Sequence, residues 1–220
     1  MRSITILVAT FVLALPLAAG AHHRPGHTGG NLTIAANPDT LSFGRTTTIS
    51  GRLTGAGNGG VTIELQRRPH PFTAAFEGFA TTTTTTTSSY SFRAVQPREH
   101  TRYRVVARTA EPQTSGEETV TVSIRVGFRV SDRTPRRGQR VNFSGFARPA
   151  HDGAIARIQR RTSTGSWRTV ARARLVDAGE EISRYARRLR VYRDGVYRVF
   201  VPGDADHASG RSGPRRLDVR

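Results

Sequence analysis

The chain has no cysteine and no lysine among its 220 residues. The first absence excludes disulfides, thiolate metal sites and a lipid-modified cysteine, so any fold must rest on its hydrophobic cores alone. The second leaves arginine as the sole basic residue type, 34 in all against 16 acids, for a net charge of +18. Such complete replacement fits a GC-rich coding bias. Aromatics make up 7% of the residues, with Trp167 the single tryptophan. Beyond residue 21 no apolar run approaches the roughly 20 residues of a membrane-spanning helix. The motifs of hydrolytic and nucleotide chemistry are missing as well. There is no G-x-S-x-G elbow, no H-E-x-x-H and no P-loop, and the acids are scattered singly or lie in turns. Gly55–Gly60 is glycine-rich but joins two strand patterns and precedes no helix, so it reads as a hairpin loop. The sequence predicts a protein that is not an enzyme and carries no cofactor.

The N-terminus has the three parts of a secretion signal. Arg2 supplies the positive charge, Ile4–Leu17 the apolar stretch and Ala19-Gly20-Ala21 a small-x-small cleavage site. Residues 1–21 are therefore predicted to be removed, leaving a secreted or extracellular chain, possible partners being at the cell surface. Residues 22–31, HHRPGHTGGN, read as a disordered tail. If cleavage follows Ala21, the new terminal amine and the imidazole of His22, with His23 beside it, offer a nitrogen-rich Cu(II) chelate. A tail with incidental histidines is the preferred reading, and a copper-binding protein is the alternative. His70, His100, His151 and His207 lie in predicted loops with no metal-ligand spacing.

The mature sequence is written nearly twice. Gly60–Arg68 (GVTIELQRR) returns as Gly153–Arg161 (GAIARIQRR), and Thr101–Val105 (TRYRV) returns as Gly195–Val199 (GVYRV). Gly44 and Gly51, with Ile49-Ser50 between them, return as Gly138, Gly145 and Phe143-Ser144. The spacing of about 94 suits one small domain and is too long for a solenoid unit. Helical periods are absent, while alternation of apolar and polar residues recurs in short segments. Examples are Val120, Val122, Ile124 and Val126, then Val61, Ile63 and Leu65. Tyr103, Val105 and Ala107 form another inward row, repeated by Tyr197, Val199 and Val201. Seven strands per copy are predicted, at 32–36, 46–53, 61–67, 72–80, 83–95, 102–108 and 118–126, and then 127–131, 139–147, 154–161, 166–175, 183–192, 196–201 and 214–220. The fold class is all-β: two tandem immunoglobulin-like antiparallel β-sandwiches, over 32–126 and 127–220, joined by a tight boundary. Tyr103 and Tyr197 are expected to be structural, at the position of a tyrosine corner.

The repeated G-V-x-[IL]-x-[LI]-Q-R-R, the aromatic segment Trp167-Arg168-Thr169-Val170 and [TG]-x-Y-R-V together resemble the bacterial Ig-like repeats of secreted and cell-surface actinobacterial proteins. That resemblance implies spacers, adhesion modules or accessory domains without a shared active site. The first copy departs from the pattern, with no Trp and with the run Thr81–Thr87 in its place.

Charge divides unevenly. Residues 32–126 hold 10 Arg and 7 acids, whereas residues 127–220 hold 22 Arg and 9 acids, so net +3 stands against net +13. Arg157, Arg161, Arg198, Arg216 and Arg220 are predicted to point outward from one sheet of the second domain, with Arg168, Arg172 and Arg174 extending it. Such a surface would attract anionic cell-wall polymer or polysaccharide. Another surface protein is a further possible partner. No nucleic-acid-binding signature accompanies the charge. The expected function is a non-enzymatic binding or scaffolding module, with polyanion binding by the second domain as one alternative.

Overall fold

The computed structural model describes residues 32–220 except Ala56; the predicted signal and tail, with His22 and His23, lie outside them. The first copy folds into nine strands: β1 (Ala35–Asn37), β2 (Thr40–Ser42), β3 (Thr47–Arg52), β4 (Thr62–Pro69), β5 (Glu77–Thr83), β6 (Ser89–Val95), β7 (Thr101–Ala107), β8 (Gln113–Thr114) and β9 (Glu118–Ser123). One sheet has the order β1-β3-β6 and the other β2-β9-β7-β4-β5, with β8 on β7. All pairs are antiparallel except β2 with β9. The second copy supplies β10 (Arg125–Val130), β11 (Arg140–Arg148), β12 (Ile155–Arg161), β13 (Trp167–Arg174), β14 (Val176–Asp177), β15 (Ser183–Arg190), β16 (Gly195–Val201), β17 (Gly210–Arg211) and β18 (Arg215–Leu217). Its sheets are β10-β11-β15-β14 and β13-β12-β16-β17, with β18 also on β16. These are two antiparallel sandwiches of immunoglobulin-like arrangement. No helix among the described residues is long and apolar enough to cross a membrane.

Alternation in the sequence becomes burial in the fold. Ile63, Leu65, Tyr103, Val105, Val120 and Val122 fill the first core, while Ala156, Ile158, Tyr197, Val199, Phe143 and Leu217 fill the second. Neighbouring side chains on each strand face outward, as the pleat requires. The second core begins before residue 127. Ile124 already packs in it, and β10 opens at Arg125.

The repeated glycines have a steric cause. A Cβ on Gly51 would overlap the Thr33 carbonyl and the Tyr90 hydroxyl, and one on Gly145 would overlap the Gly127 carbonyl and the Tyr185 hydroxyl. The same two tyrosines tie the first strand down: Tyr90 donates to Thr33 O at 2.5 Å and Tyr185 to Gly127 O at 2.7 Å. Burial holds both hydroxyls above the ordinary phenol range, so they remain donors. Tyr103 and Tyr197 are buried at matching places, opposite Arg67 and Arg160. Ser115 and Ser212 form a further matched pair, each accepting from the central strand through its hydroxyl, at 3.0 Å from Val105 N and 2.9 Å from Val199 N.

The Thr81–Thr87 run does not replace the second copy's aromatic segment. Thr81–Thr83 end β5, while Thr84 is buried with its hydroxyl donating to Asn58 O at 2.5 Å. Thr85 and Ser88 close a turn into β6, with Ser88 N donating to Thr85 O at 2.8 Å. The strand predicted from residue 83 therefore starts at Ser89.

Candidate functional site

The outer face of β13-β12-β16-β17 collects most of the predicted arginines. Cross-strand register sets Arg172 beside Arg157, Arg157 beside Phe200 and Phe200 beside Arg211. The next row runs Thr169, Gln159, Arg198, and Arg161 lies beside Trp167 beyond it. Arg198 donates through Nε to Gln159 Oε1 at 2.8 Å and lies 4.2 Å over the Trp167 ring. Burial, and then the neighbouring charge of Arg211, hold the Arg198 guanidinium below its ordinary value. Among the described residues no carboxylate forms an ion pair with Arg157, Arg161, Arg172 or Arg198, whereas Arg216, opposite Val196 on the same face, binds Asp218 at 2.7 Å.

Two arginines depart from the expected plane. Arg168 pairs with Arg160, one step from the outward row, so the pleat turns it to the other side. A hollow of about 460 Å³ joins it with Arg160 and Arg161 at the sheet edge. Arg220 leaves the sheet altogether: its side chain donates to Thr134 Oγ1 at 2.9 Å and its backbone N to Pro135 O at 2.9 Å.

The same face of the first domain has the same frame and a different charge. Arg104 donates to Gln66 Oε1 at 2.8 Å and lies 4.3 Å over Phe76, the aromatic that sequence matching did not find. Both domains carry a register shift at the same point, between Leu65 and Gln66 and between Ile158 and Gln159. With that alignment Glu64 occupies the place of Arg157, and Glu77, opposite Arg67, occupies the place of Arg168, opposite Arg160. Acids pair with most of the arginines on the first face. Arg108 pairs with Glu64, and Glu117 with both Arg68 and Arg102 at 2.7 and 3.3 Å, while Arg67 and Glu77 pair at 2.7 Å on the other side of the sheet, as Arg160 and Arg168 lie there in the second domain. A hydrogen bond from Gln66 holds the Glu64 carboxyl below its ordinary value; burial opposes this, while Arg108 and Arg104 reinforce it.

A second cluster forms where the sandwiches meet. The loop after β16 inserts between the chain crossing and the first domain. Ala208 N donates to Val122 O at 2.8 Å, and Ile124 N donates to Ala208 O at 2.9 Å. His100 N donates to Asp206 O at 2.9 Å, and Arg98 forms an ion pair with Glu181. His100 Nδ1 accepts from Val122 N at 3.1 Å. Burial first, then the charges of His207 and His70, hold its imidazole below the ordinary value, which suits an accepting nitrogen. His151 and His207 stack edge to face at 5.4 Å beside the Asp204 carboxylate. These are loop residues from distant points in the chain, so no local spacing announces them.

The described residues thus define a two-domain immunoglobulin-like protein with one sheet face largely ion-paired and the matching face basic and largely unpaired. No family model matches the chain, and no curated protein sequence does so. Among solved structures, a red sea bream transglutaminase aligns at 9% identity and TM-score 0.42, over 87% of this chain and 31% of that one. A marsupial T cell receptor aligns at 9% identity and TM-score 0.43, over 87% and 73%. Likeness at this level carries no functional argument.

Proposed function

We propose that this chain is an exported, non-enzymatic binding module of the bacterial surface or exterior, which holds anionic polymer on the outer sheet face of its second domain. The supporting observation is that the frame of the face is kept in both copies while its charge partners are not. Gln66, Arg104 and Phe76 match Gln159, Arg198 and Trp167, yet the acid at Glu64 becomes Arg157 on this face, and Glu77 becomes Arg168 at the sheet edge on the other side. Replacement of lysine by arginine cannot cause an exchange of acid for base at matched positions. Arg157, Arg161 and Arg172 are left without carboxylate partners, on a rigid sheet at strand spacing, available to successive charges of an extended polyanion. A cell-wall polymer or acidic polysaccharide fits such a row.

The test uses the full mature chain on an immobilised sulfated or phosphorylated polysaccharide. Retention should fall steeply with salt, because bound counterions are released. Changing Arg157, Arg161 and Arg172 to Ser leaves the Gln159–Arg198–Trp167 frame intact and should remove most of the retention. Each lost contact should flatten the log–log salt slope, by an amount set by the charge density of the polymer. Changing Arg136, Arg137 and Arg184 removes equal charge elsewhere. Equal loss from both triples would reduce the effect to total charge and overturn the proposal.

A further inference from the structure

We propose that His151, Asp204 and His207 bind a divalent transition-metal cation of the Zn2+ type, which fastens two loops of the second domain at its junction with the first. The tautomers carry the argument. His151 Nδ1 lies 2.8 Å from Pro149 O, and His207 Nε2 lies 2.8 Å from Arg98 O. A carbonyl can only accept, so both of these nitrogens carry hydrogen. The lone pairs of the neutral rings are therefore at His151 Nε2 and His207 Nδ1. Both atoms are buried without a hydrogen-bond partner, on side chains only 8% and 7% exposed.

Both lone pairs face carboxylates. His151 Nε2 is 2.9 Å from Asp204 Oδ2; His207 Nδ1 is 3.8 Å from Asp204 Oδ1 and 3.2 Å from Asp206 Oδ1. Lone pairs turned on anionic oxygens repel unless a proton or a metal cation lies between them. One ligand atom from each of His151, Asp204 and His207 falls within 4.8 Å of the others. Tetrahedral zinc with bonds of about 2.0–2.1 Å needs its ligands about 3.3 Å apart, a spacing within reach of three donors that all lie within 4.8 Å of one another. Two imidazoles and one carboxylate favour a zinc-like ion over calcium or magnesium, which take all-oxygen shells.

The surroundings are also those of a metal site. Each ring is oriented by donation of its other N–H to a backbone carbonyl, as in metal-bound histidines. Asp204 is held by His207 N, which donates to its Oδ1 at 2.9 Å, leaving Oδ2 directed at His151. Asp204 is 45% exposed, so the remaining coordination position opens to water. The carbonyl that orients His207 belongs to the first domain, so the ion would stiffen the junction as well as the loops.

The experiment is calorimetric titration of the untagged mature protein with Zn2+ after chelator treatment, alongside variants of the seam and of the N-terminal tail. A variant with His22, His23 and His27 changed to Ser should still bind one equivalent at micromolar or tighter affinity. Asp204→Asn keeps an oxygen for His207 N but loses the charge, and it should weaken binding at least tenfold; His151→Leu should weaken it a hundredfold. The cobalt-loaded protein should show visible absorption of nitrogen–oxygen coordination that His151→Leu abolishes, with the circular dichroism of both variants unchanged. Binding that survives in both seam variants, or that vanishes with the tail histidines, would overturn the proposal. So would absence of stoichiometric binding to the parent protein.

Discussion

The two sandwiches differ least where they are buried and most where they are exposed. Matched pairs run through the interior and the ties: Gly51 and Gly145, Tyr90 and Tyr185, Tyr103 and Tyr197, Ser115 and Ser212. On the outer face of the larger sheet, Gln66 and Arg104 match Gln159 and Arg198 because that pair supports the aromatic beside it. Beside this frame the charge reverses from Glu64 to Arg157, and on the other side of the same edge from Glu77 to Arg168. Packing constrains the inside of a duplicated domain, since a buried atom has neighbours on every side. A solvated position has no such constraint and can diverge in charge at little cost in stability. The difference between the copies is therefore the place to seek function.

The equivalence of the interiors breaks first if either glycine tolerates a side chain. Gly51→Ala and Gly145→Ala should each cost about 3 kcal/mol or more, since the new methyl collides with a fixed carbonyl and a buried tyrosine. Denaturant unfolding measures both losses, and they should be similar. A smaller effect should come from Tyr90→Phe and Tyr185→Phe. Each removes a hydroxyl-to-carbonyl bond from a buried ring, at about 1–2 kcal/mol by the same measurement. A clear inequality would mean that only one copy relies on the tie.

The smallest effect separates the faces through pH. The Glu64 carboxyl titrates below its ordinary value of 4.5 in the folded protein. Its contribution to stability is therefore present above that value and lost as pH falls through the folded one. Glu64→Gln should flatten the acid side of the stability profile below about pH 4.5. Arg157→Gln, at the matched place, should leave that limb unchanged.

Period-two alternation, repeat spacing and turn residues revealed the sandwiches, because burial on one face leaves its mark on every strand. They also placed Arg157, Arg161, Arg172, Arg198 and Arg216 on one face. Arg168 escaped because the register shift after Ile158 moves its phase by one residue, and such a shift leaves no local signature. Phe76 escaped for a related reason: it lies just outside β5, beyond the register shift after Leu65 that sets its phase. The short strands β2, β8, β14 and β17 were missed because two or three residues are too few to show a period. The histidine cluster was illegible for a different reason. His151 and His207 come from separate loops, and only the fold makes them neighbours.

The central claim is that the matched face positions set anion binding, and a charge exchange tests it most directly. One variant of the full mature chain carries Arg157→Glu, and a second carries Arg157→Glu with Glu64→Arg, which restores the net charge. Both are compared with the parent on the same immobilised polyanion across a salt series. The account predicts that the first elutes at clearly lower salt. It also predicts that the double variant does not regain the parent's retention, because Arg108 and the paired first face cannot reproduce the row formed by Arg157, Arg161 and Arg172. Full recovery by the double variant would mean that total charge alone governs binding and would contradict the account.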